Sequence, residues 1–160
     1  MVSKVEEDYD ITWHLRTAPS PGGLFPIELY CISLQVDGLK KGLYFYDALA
    51  HTLEAIIEKD LTETLKKAVY LEDTVSKASA CIVLKGVMPR VKFKYGERGY
   101  RFALLEAGHI AQNLLLAAQA EGLGSVPIGG FVDSEINNML NVDGCEEAAV
   151  YLVLIGKIAK

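Results

Sequence analysis

The chain has 160 residues, of which 51% are hydrophobic and 23% charged, with a formal charge of -5. That length fits one domain able to bury about 70% of the surface its unfolded form exposes, and the composition excludes a disordered chain. An acidic balance, with a pI near 5.2 and Lys and Arg scattered along the sequence, argues against nucleic acid or an anionic membrane as the main partner.

Cys31, Cys81 and Cys145 are far apart, odd in number and set among apolar neighbours. They read as buried thiols of a reducing compartment, which makes cytoplasmic the default location. Neither a C-x-x-C pair nor a His and Cys cluster at metal spacing occurs, so no metal site is expected. The start, MVSKVEEDYD, is acidic and lacks the apolar core of a signal peptide, and no run approaches membrane-spanning length.

Residues 1–15 are polar until Ile11, Trp13 and Leu15, candidate anchors to the body. Residues 16–26 hold three prolines and two glycines in eleven positions, a turn system or loop. There Ser20 and Gly22 offer a hydroxyl and unhindered backbone to a ligand, or form a plain turn. Residues 27–35, IELYCISLQ, are apolar on both faces and predict an interior strand with Glu28 as its exception. Asp37-Gly38 marks a turn before LYFYDAL, so two strands form a hairpin. His51 has no nucleophile or ligand beside it and reads as a surface or hydrogen-bonded structural histidine.

Residues 48–70 read as a covering element, helical in the second half, where Leu61, Leu65 and Ala68 recur at helical steps. Residues 78–87 predict a third strand, ended by Pro89. The stretch 94–131 reads as one long helix closed by a glycine-rich loop. From 102 to 120 apolar residues occupy nearly every side of the spiral, which places the helix inside the protein. Glu106, His109, Gln112 and Asn113 should project along one side. An unsatisfied buried polar group costs about 1–3 kcal/mol, so that stripe needs a partner, protein or ligand.

Gly122 and Gly124 suit a helix end needing a left-handed residue, and Pro127, Gly129 and Gly130 keep the next residues irregular. This is either a capped helix with a turn or a loop presenting backbone N–H groups at close range. It closes a helix rather than opening one, so it is not the nucleotide-binding glycine fingerprint. Residues 134–140 predict a short helix capped by Asp133 or Ser134, and 148–155 a last buried strand. Strands and helices without regular alternation favour an α+β fold.

Four motifs, in order, carry a resemblance: Arg16-x-x-Pro19-Ser20-x-Gly22 with Pro26, Glu28 and Tyr30; Lys94-Tyr95-Gly with Arg98, Tyr100 and Arg101; Gly108-His109-x-x-Gln112-Asn113; and Gly122-Leu-Gly124-Ser with Pro127, Gly129 and Gly130. With them the chain resembles the nitroreductase-like flavoproteins, within them the azoline dehydrogenases of the streptolysin, cyanobactin and microcin biosynthetic type. The resemblance implies an α+β sandwich, a mainly antiparallel sheet packed with helices, as a homodimer holding FMN between subunits. It puts Pro19, Ser20 and Gly22 against the flavin ring or ribityl chain, Gln112 and Asn113 near the cofactor, Pro127, Gly129 and Gly130 over the ring, and Lys157 at the phosphate. As a lone lysine, Lys157 reads equally as solvated.

In the azoline oxidases an adjacent lysine and tyrosine serve catalysis, and Lys94-Tyr95 occupies that motif; the plain alternative is that the two residues begin the helix. A base takes one proton while hydride leaves an adjacent position, the flavin's part of the chemistry. Free tyrosine titrates near about 10 and is a poor base at neutral pH, but a neighbouring lysine can depress that value or relay the proton. The single domain 1–160 lacks the upstream helical segment with which family members grip the FMN phosphate, a task that falls to Arg16 or a separate chain. The implied activity is oxidation of thiazoline or oxazoline rings in a peptide. The alternatives are a general nitro or quinone reductase using a nicotinamide donor on a small molecule, and a non-catalytic flavin-binding or scaffold protein.

Overall fold

Three near-continuous apolar runs become interior strands of one antiparallel sheet, because only strands covered on both faces tolerate apolar side chains pointing both ways. The computed structural model describes the backbone of residues 2–8 and 11–158 and the side chains of residues 15–158. In chain order the elements are β1 (Val2–Asp8), β2 (Ile11–Arg16), a 3-10 turn (Pro21–Gly23), β3 (Ile27–Ser33), β4 (Gly42–Asp47), β5 (Thr52–Ile57), α1 (Thr62–Ala68), α2 (Glu72–Lys77), β6 (Ala80–Val87), α3 (Pro89–Tyr95), α4 (Arg98–Ala120), β7 (Leu123–Ile128), α5 (Asp133–Leu140) and β8 (Glu147–Lys157). The sheet runs β5-β4-β3-β6-β8-β7, and β1 and β2 form a separate hairpin. The fold is the expected α+β sandwich.

Alternation along the middle strands separates two cores. Cys81 and Val83 of β6 and Leu152 and Leu154 of β8 pack with α1, α2 and α5 through Leu65, Val75 and Ile136. Leu84 and Val153 pack on the other face with Val91 of α3 and Ala103, Ala107 and Ala111 of α4. Small residues along α4 let the helix lie close to the sheet.

Several expectations are corrected. The single helix from 94 is two, because Gly96, at φ 56°, ends α3 in a conformation few side chains adopt, so Lys94 and Tyr95 close one helix rather than begin the next. The helix α4 is not enclosed; Leu104, Leu105 and Leu116 are exposed on one side. Of its polar stripe only Glu106 is buried.

Residues 123–128 of the expected irregular stretch form strand β7, which among the described residues pairs with β8 alone, while Gly129 and Gly130 stay outside any strand. An edge strand has a free side for a proline that cannot donate, so Pro127 does not break it. Gly122 does supply the left-handed helix end, at φ 69°. Residues 52–57 form edge strand β5 on β4, not the front of a helical cover. Lys157 ends β8 rather than following it, and neither Asp133 nor Ser134 caps α5, whose N-cap is Val132. Cys145 is exposed, whereas Cys31 and Cys81 are buried, and burial pushes the Cys31 thiol up to about 11. Ile11 and Trp13 have side chains outside the described residues. No helix among the described residues is long and apolar enough to cross a membrane.

Candidate functional site

The loop from Arg16 to Pro26 is held by its own polar groups. Phe25 N–H donates to Ser20 Oγ at 2.8 Å, and Gly23 N–H to Ser20 O at 3.2 Å. Gly22 adopts φ 60°, where a Cβ would come within 2.7 Å of Tyr95 Oη and 2.9 Å of Lys94 Nζ. The hydroxyl and the ammonium therefore converge on one point above Gly22. The backbone requires glycine there, and a Cβ would have to displace the ends of both side chains. Tyr95 is fixed by edge-on stacking on Phe102 of α4, centroids 4.9 Å apart, and α3 meets α4 closely because a Cβ on Gly99 would lie 3.0 Å from the Val91 backbone.

A depression of about 330 Å³ opens beside this pair, lined by Pro19, Ser20, Pro21, Tyr95, Phe102, Leu105, Glu106 and His109. Glu106 is 2% exposed and accepts a long hydrogen bond, 3.4 Å, from Ile27 N–H on Oε1. Burial raises its pKa, opposed by Ser20, the Ile27 N–H, Arg16 and Arg90. Ser20 lies close enough to favour the carboxylate but not in full hydrogen-bond geometry, and Oε2 has no partner among the described residues.

Farther along α4 lies a cavity of about 710 Å³, lined by Arg16, Glu28, Tyr46, Asp47, Arg90 and Asn113 among apolar residues including Leu29, Phe45, Ile110 and Leu114. Below it, Glu28 receives Lys85 Nζ at 2.9 Å and pairs with Arg90, while Lys85 also pairs with Glu147. Burial raises the Glu28 pKa, but Lys85 and Arg90 outweigh that and hold it below the usual carboxylate value. His51 Nδ1 shares a 2.8 Å hydrogen bond with Tyr46 Oη, in keeping with a structural histidine.

A third depression, about 240 Å³, takes in Thr74, Lys77, Gly124, Val126, Gly156 and Lys157. The structure thus gathers Lys94, Tyr95, Pro19, Ser20 and Gly22 at one corner, puts Arg16 and Asn113 in the large cavity, and sets Lys157 apart. Gln112 is exposed on α4, and Pro127, Gly129 and Gly130 are exposed at the end of β7 away from Lys157. A Cβ on Gly130 would meet nothing within 4 Å, and on Gly129 only the Tyr151 ring at 3.7 Å. Sequence reasoning missed Lys77 beside Lys157 and Phe102 behind Tyr95. Glu106 was visible as a buried polar residue, with no signal that it faces Ser20.

The nitroreductase family pattern matches residues 6–157. MJ1384, a Methanocaldococcus jannaschii protein named as a nitroreductase, is 31% identical over 142 residues, 89% of this chain and 70% of its own length. The microcin B17-processing protein McbC of Escherichia coli is 30% identical over 149 residues, 89% of this chain and 54% of McbC. A crystal structure described as a nitroreductase from Anabaena variabilis superimposes with a TM-score of 0.91 at 30% identity, over 96% of this chain and 32% of that one. The E. coli microcin synthetase McbBCD complex with truncated pro-MccB17 bound gives a TM-score of 0.80 at 29% identity, over 91% of this chain and 56% of the matched one. The chain therefore spans just over half of McbC and about a third of the Anabaena protein.

Proposed function

Since the chain belongs to the nitroreductase family, an oxidoreductase family, we propose that it uses FMN to oxidise thiazoline or oxazoline rings of a peptide to azoles. The observation that carries this reading is the convergence of Tyr95 Oη and Lys94 Nζ above Gly22. A likeness to a microcin-processing protein and to a complex holding a pro-microcin peptide supports a peptide substrate.

The residues fit a flavin mononucleotide. Gly129 and Gly130 leave open space over exposed backbone, which lets a planar ring approach main-chain N–H groups. Lys157 and Lys77 lie toward the opposite end of β7 and offer positive charge to a phosphate. On this reading Lys157, with Lys77, holds the phosphate, and Pro127, Gly129 and Gly130 hold the ring; Pro19, Ser20, Gly22, Gln112 and Asn113 come from a second copy of the chain. The exposed Leu104, Leu105 and Leu116 of α4 give that copy an apolar face to cover. Bound FMN supplies the hydride acceptor. Tyr95 Oη and Lys94 Nζ, which meet above Gly22, are the groups through which the substrate proton leaves. Phe102 keeps the phenol aimed by stacking edge-on against it.

The test is a flavin titration followed by turnover of a thiazoline peptide. Tyr95→Phe and Lys94→Ala should each bind FMN as the wild type does and lose azole formation by roughly 100-fold or more, the usual scale for a proton-transfer group. Unchanged turnover removes both residues from the chemistry. Nicotinamide-driven quinone reduction that survives both substitutions, with no azole formation by the wild type, turns the assignment to a general reductase. A chain that forms a dimer yet binds no FMN is a scaffold.

A further inference from the structure

Glu106 has no part in the proton transfer itself, yet it lies buried at the floor of the depression that Tyr95 lines. Several points of the loop before β3 lead to it. Ile27 N–H donates to its Oε1 at 3.4 Å. Ser20 Oγ accepts the Phe25 N–H at 2.8 Å, which leaves the serine's own proton to give, and the Glu106 carboxyl is near enough to draw on it. Arg16 and Arg90 act on the same carboxyl as opposite charges. Those two guanidiniums also hold Phe25, Arg16 by lying 4.5 Å over its ring and Arg90 by donating to its carbonyl oxygen at 3.2 Å.

The segment held in this way is strained. Gly22, Gly23 and Phe25 all have positive φ, 60°, 67° and 46°, and for a phenylalanine that conformation is uncommon. Such strain persists only where the surroundings over-determine it. Phe25 is fixed at its N–H, its carbonyl and its ring, and the groups that fix it, Ser20, Arg90 and Arg16, each act on Glu106 in turn. Gly22 belongs to the same turn, with Lys94 and Tyr95 over it, so a relaxed Phe25 would shift the floor beneath that pair. Oε2 has no partner among the described residues, which leaves that oxygen for the Ser20 hydroxyl.

We propose that Glu106 is the positioning residue of this corner: its negative charge, acting through Ser20, Arg16 and Arg90, fixes the strained turn so that Gly22 stays under Tyr95 Oη and Lys94 Nζ. Shape alone does not suffice. A glutamine there keeps an oxygen for the Ile27 N–H but offers Ser20 and the two arginines no charge, and hydrogen bonds to an ionised acceptor are about twice as strong as neutral ones. Burial works against that charge, while Ser20, the Ile27 N–H, Arg16 and Arg90 work for it. The link from this turn to turnover rests on the azole-forming reading; the holding of the turn does not.

The experiment is residue-resolved amide hydrogen exchange on the full chain without flavin, for the wild type, Glu106→Gln, Ser20→Ala and the double variant, followed by turnover of a thiazoline peptide. The reporters are Gly23 N–H and Leu24 N–H, which donate to the main-chain oxygens of Ser20 and Pro21, so neither substitution removes their acceptors. Glu106→Gln should speed exchange at both about tenfold or more, the scale of one lost hydrogen bond to a charged group. Val83 and Leu152 of the sheet should exchange no faster than in the wild type. Ser20→Ala should loosen the same two amides, and the double variant should add little to either change, because both act through one contact. In turnover, Glu106→Gln should lower kcat about tenfold with KM for the peptide unchanged, the pattern of a group that sets geometry in the transition state alone. Unchanged exchange at Gly23 and Leu24 in Glu106→Gln, equal acceleration at Val83 and Leu152, or fully additive effects in the double variant overturns the holding of the turn by Glu106. A loosened turn with unchanged kcat overturns its role in the reaction. If the wild type forms no azole, the exchange result still decides the holding of the turn, and the failure counts against the azole reading.

Discussion

Two polar clusters flank the same loop, and they are built on opposite terms. The Glu28, Lys85, Arg90 and Glu147 network is closed, each charge meeting another within the chain. At the Gly22 corner, Tyr95 and Lys94 bring their polar heads together over bare backbone, and Oε2 of nearby Glu106 lacks a partner among the described residues. A closed network spends its interactions on the fold, whereas an open one keeps them for something that arrives later. Polar groups that the fold does not satisfy are thus the better pointer to function than polar groups as such.

The largest expected effect follows from opening the closed cluster. Lys85 is 7% exposed at its side chain, and Lys85→Met keeps its volume while removing the charge between two carboxylates. Breaking a buried pair on one side costs about 3–5 kcal/mol. Glu28 retains Arg90 and Glu147 reaches water, so the loss in urea unfolding should fall at the lower end, about 3 kcal/mol. A loss below about 0.5 kcal/mol, the scale of an ordinary surface change, would show that the network carries no more weight than the open corner.

Next come the two glycines of the 3-10 turn. Gly22 and Gly23 both have positive φ, 60° and 67°, so alanine at either costs about 1–2 kcal/mol in backbone strain. Only at Gly22 does the new Cβ meet Tyr95 and Lys94; at Gly23 nothing lies within 4 Å. Those contacts are with the mobile ends of two side chains, which move aside cheaply. Gly22→Ala and Gly23→Ala should therefore match in thermal unfolding yet differ in turnover, with Gly22→Ala alone losing azole formation. Equal turnover would mean that the convergence over Gly22 has no part in the reaction.

The sheet was largely legible because its middle strands declare themselves: IELYCIS, ACIVLKGV and AAVYLVLI carry apolar side chains on both faces. Its edges were not. Residues 52–57 expose most of their side chains and show no alternation, and Pro127 masked β7 because a proline argues against a strand except at an edge, a position known only from pairing. Gly96 hid the break between α3 and α4, since one glycine inside helix-forming sequence costs only about 1 kcal/mol and need not end a helix. The individual motifs of the site were readable, but their assembly was not: that Lys94 and Tyr95 reach Gly22, or that Lys77 adjoins Lys157, depends on β6 carrying α3 back across the 3-10 turn and on β8 ending beside α2.

The two clusters should also respond oppositely to pH. Glu28 is held below the usual carboxylate value, so its contribution to stability is present above that value and is lost as pH falls through the folded pKa. Glu106 is held above it by burial, so its contribution is present below the ordinary value and is lost as pH rises through the folded pKa. Glu28→Gln should accordingly cost more near pH 7 than near about pH 3, while Glu106→Gln should become more favourable relative to wild type over the same rise, a window set by the ordinary carboxylate value of about 4.3. Parallel slopes in paired unfolding curves would remove the distinction between satisfied and unsatisfied carboxylates.

The smallest expected effect on stability is at the proposed catalytic pair, Tyr95 and Lys94. Tyr95 retains its stacking on Phe102 when only the hydroxyl is removed, and Lys94 is exposed and makes no ion pair among the described residues. Tyr95→Phe and Lys94→Ala should stay within about 0.5 kcal/mol of the wild type, below either glycine substitution and far below Lys85→Met. A hydroxyl satisfied within the fold would instead cost about 0.5–1.5 kcal/mol to remove. Destabilisation of that size in Tyr95→Phe would show that the corner is closed after all, with Tyr95 bonded inside its own chain and no longer free to meet a substrate.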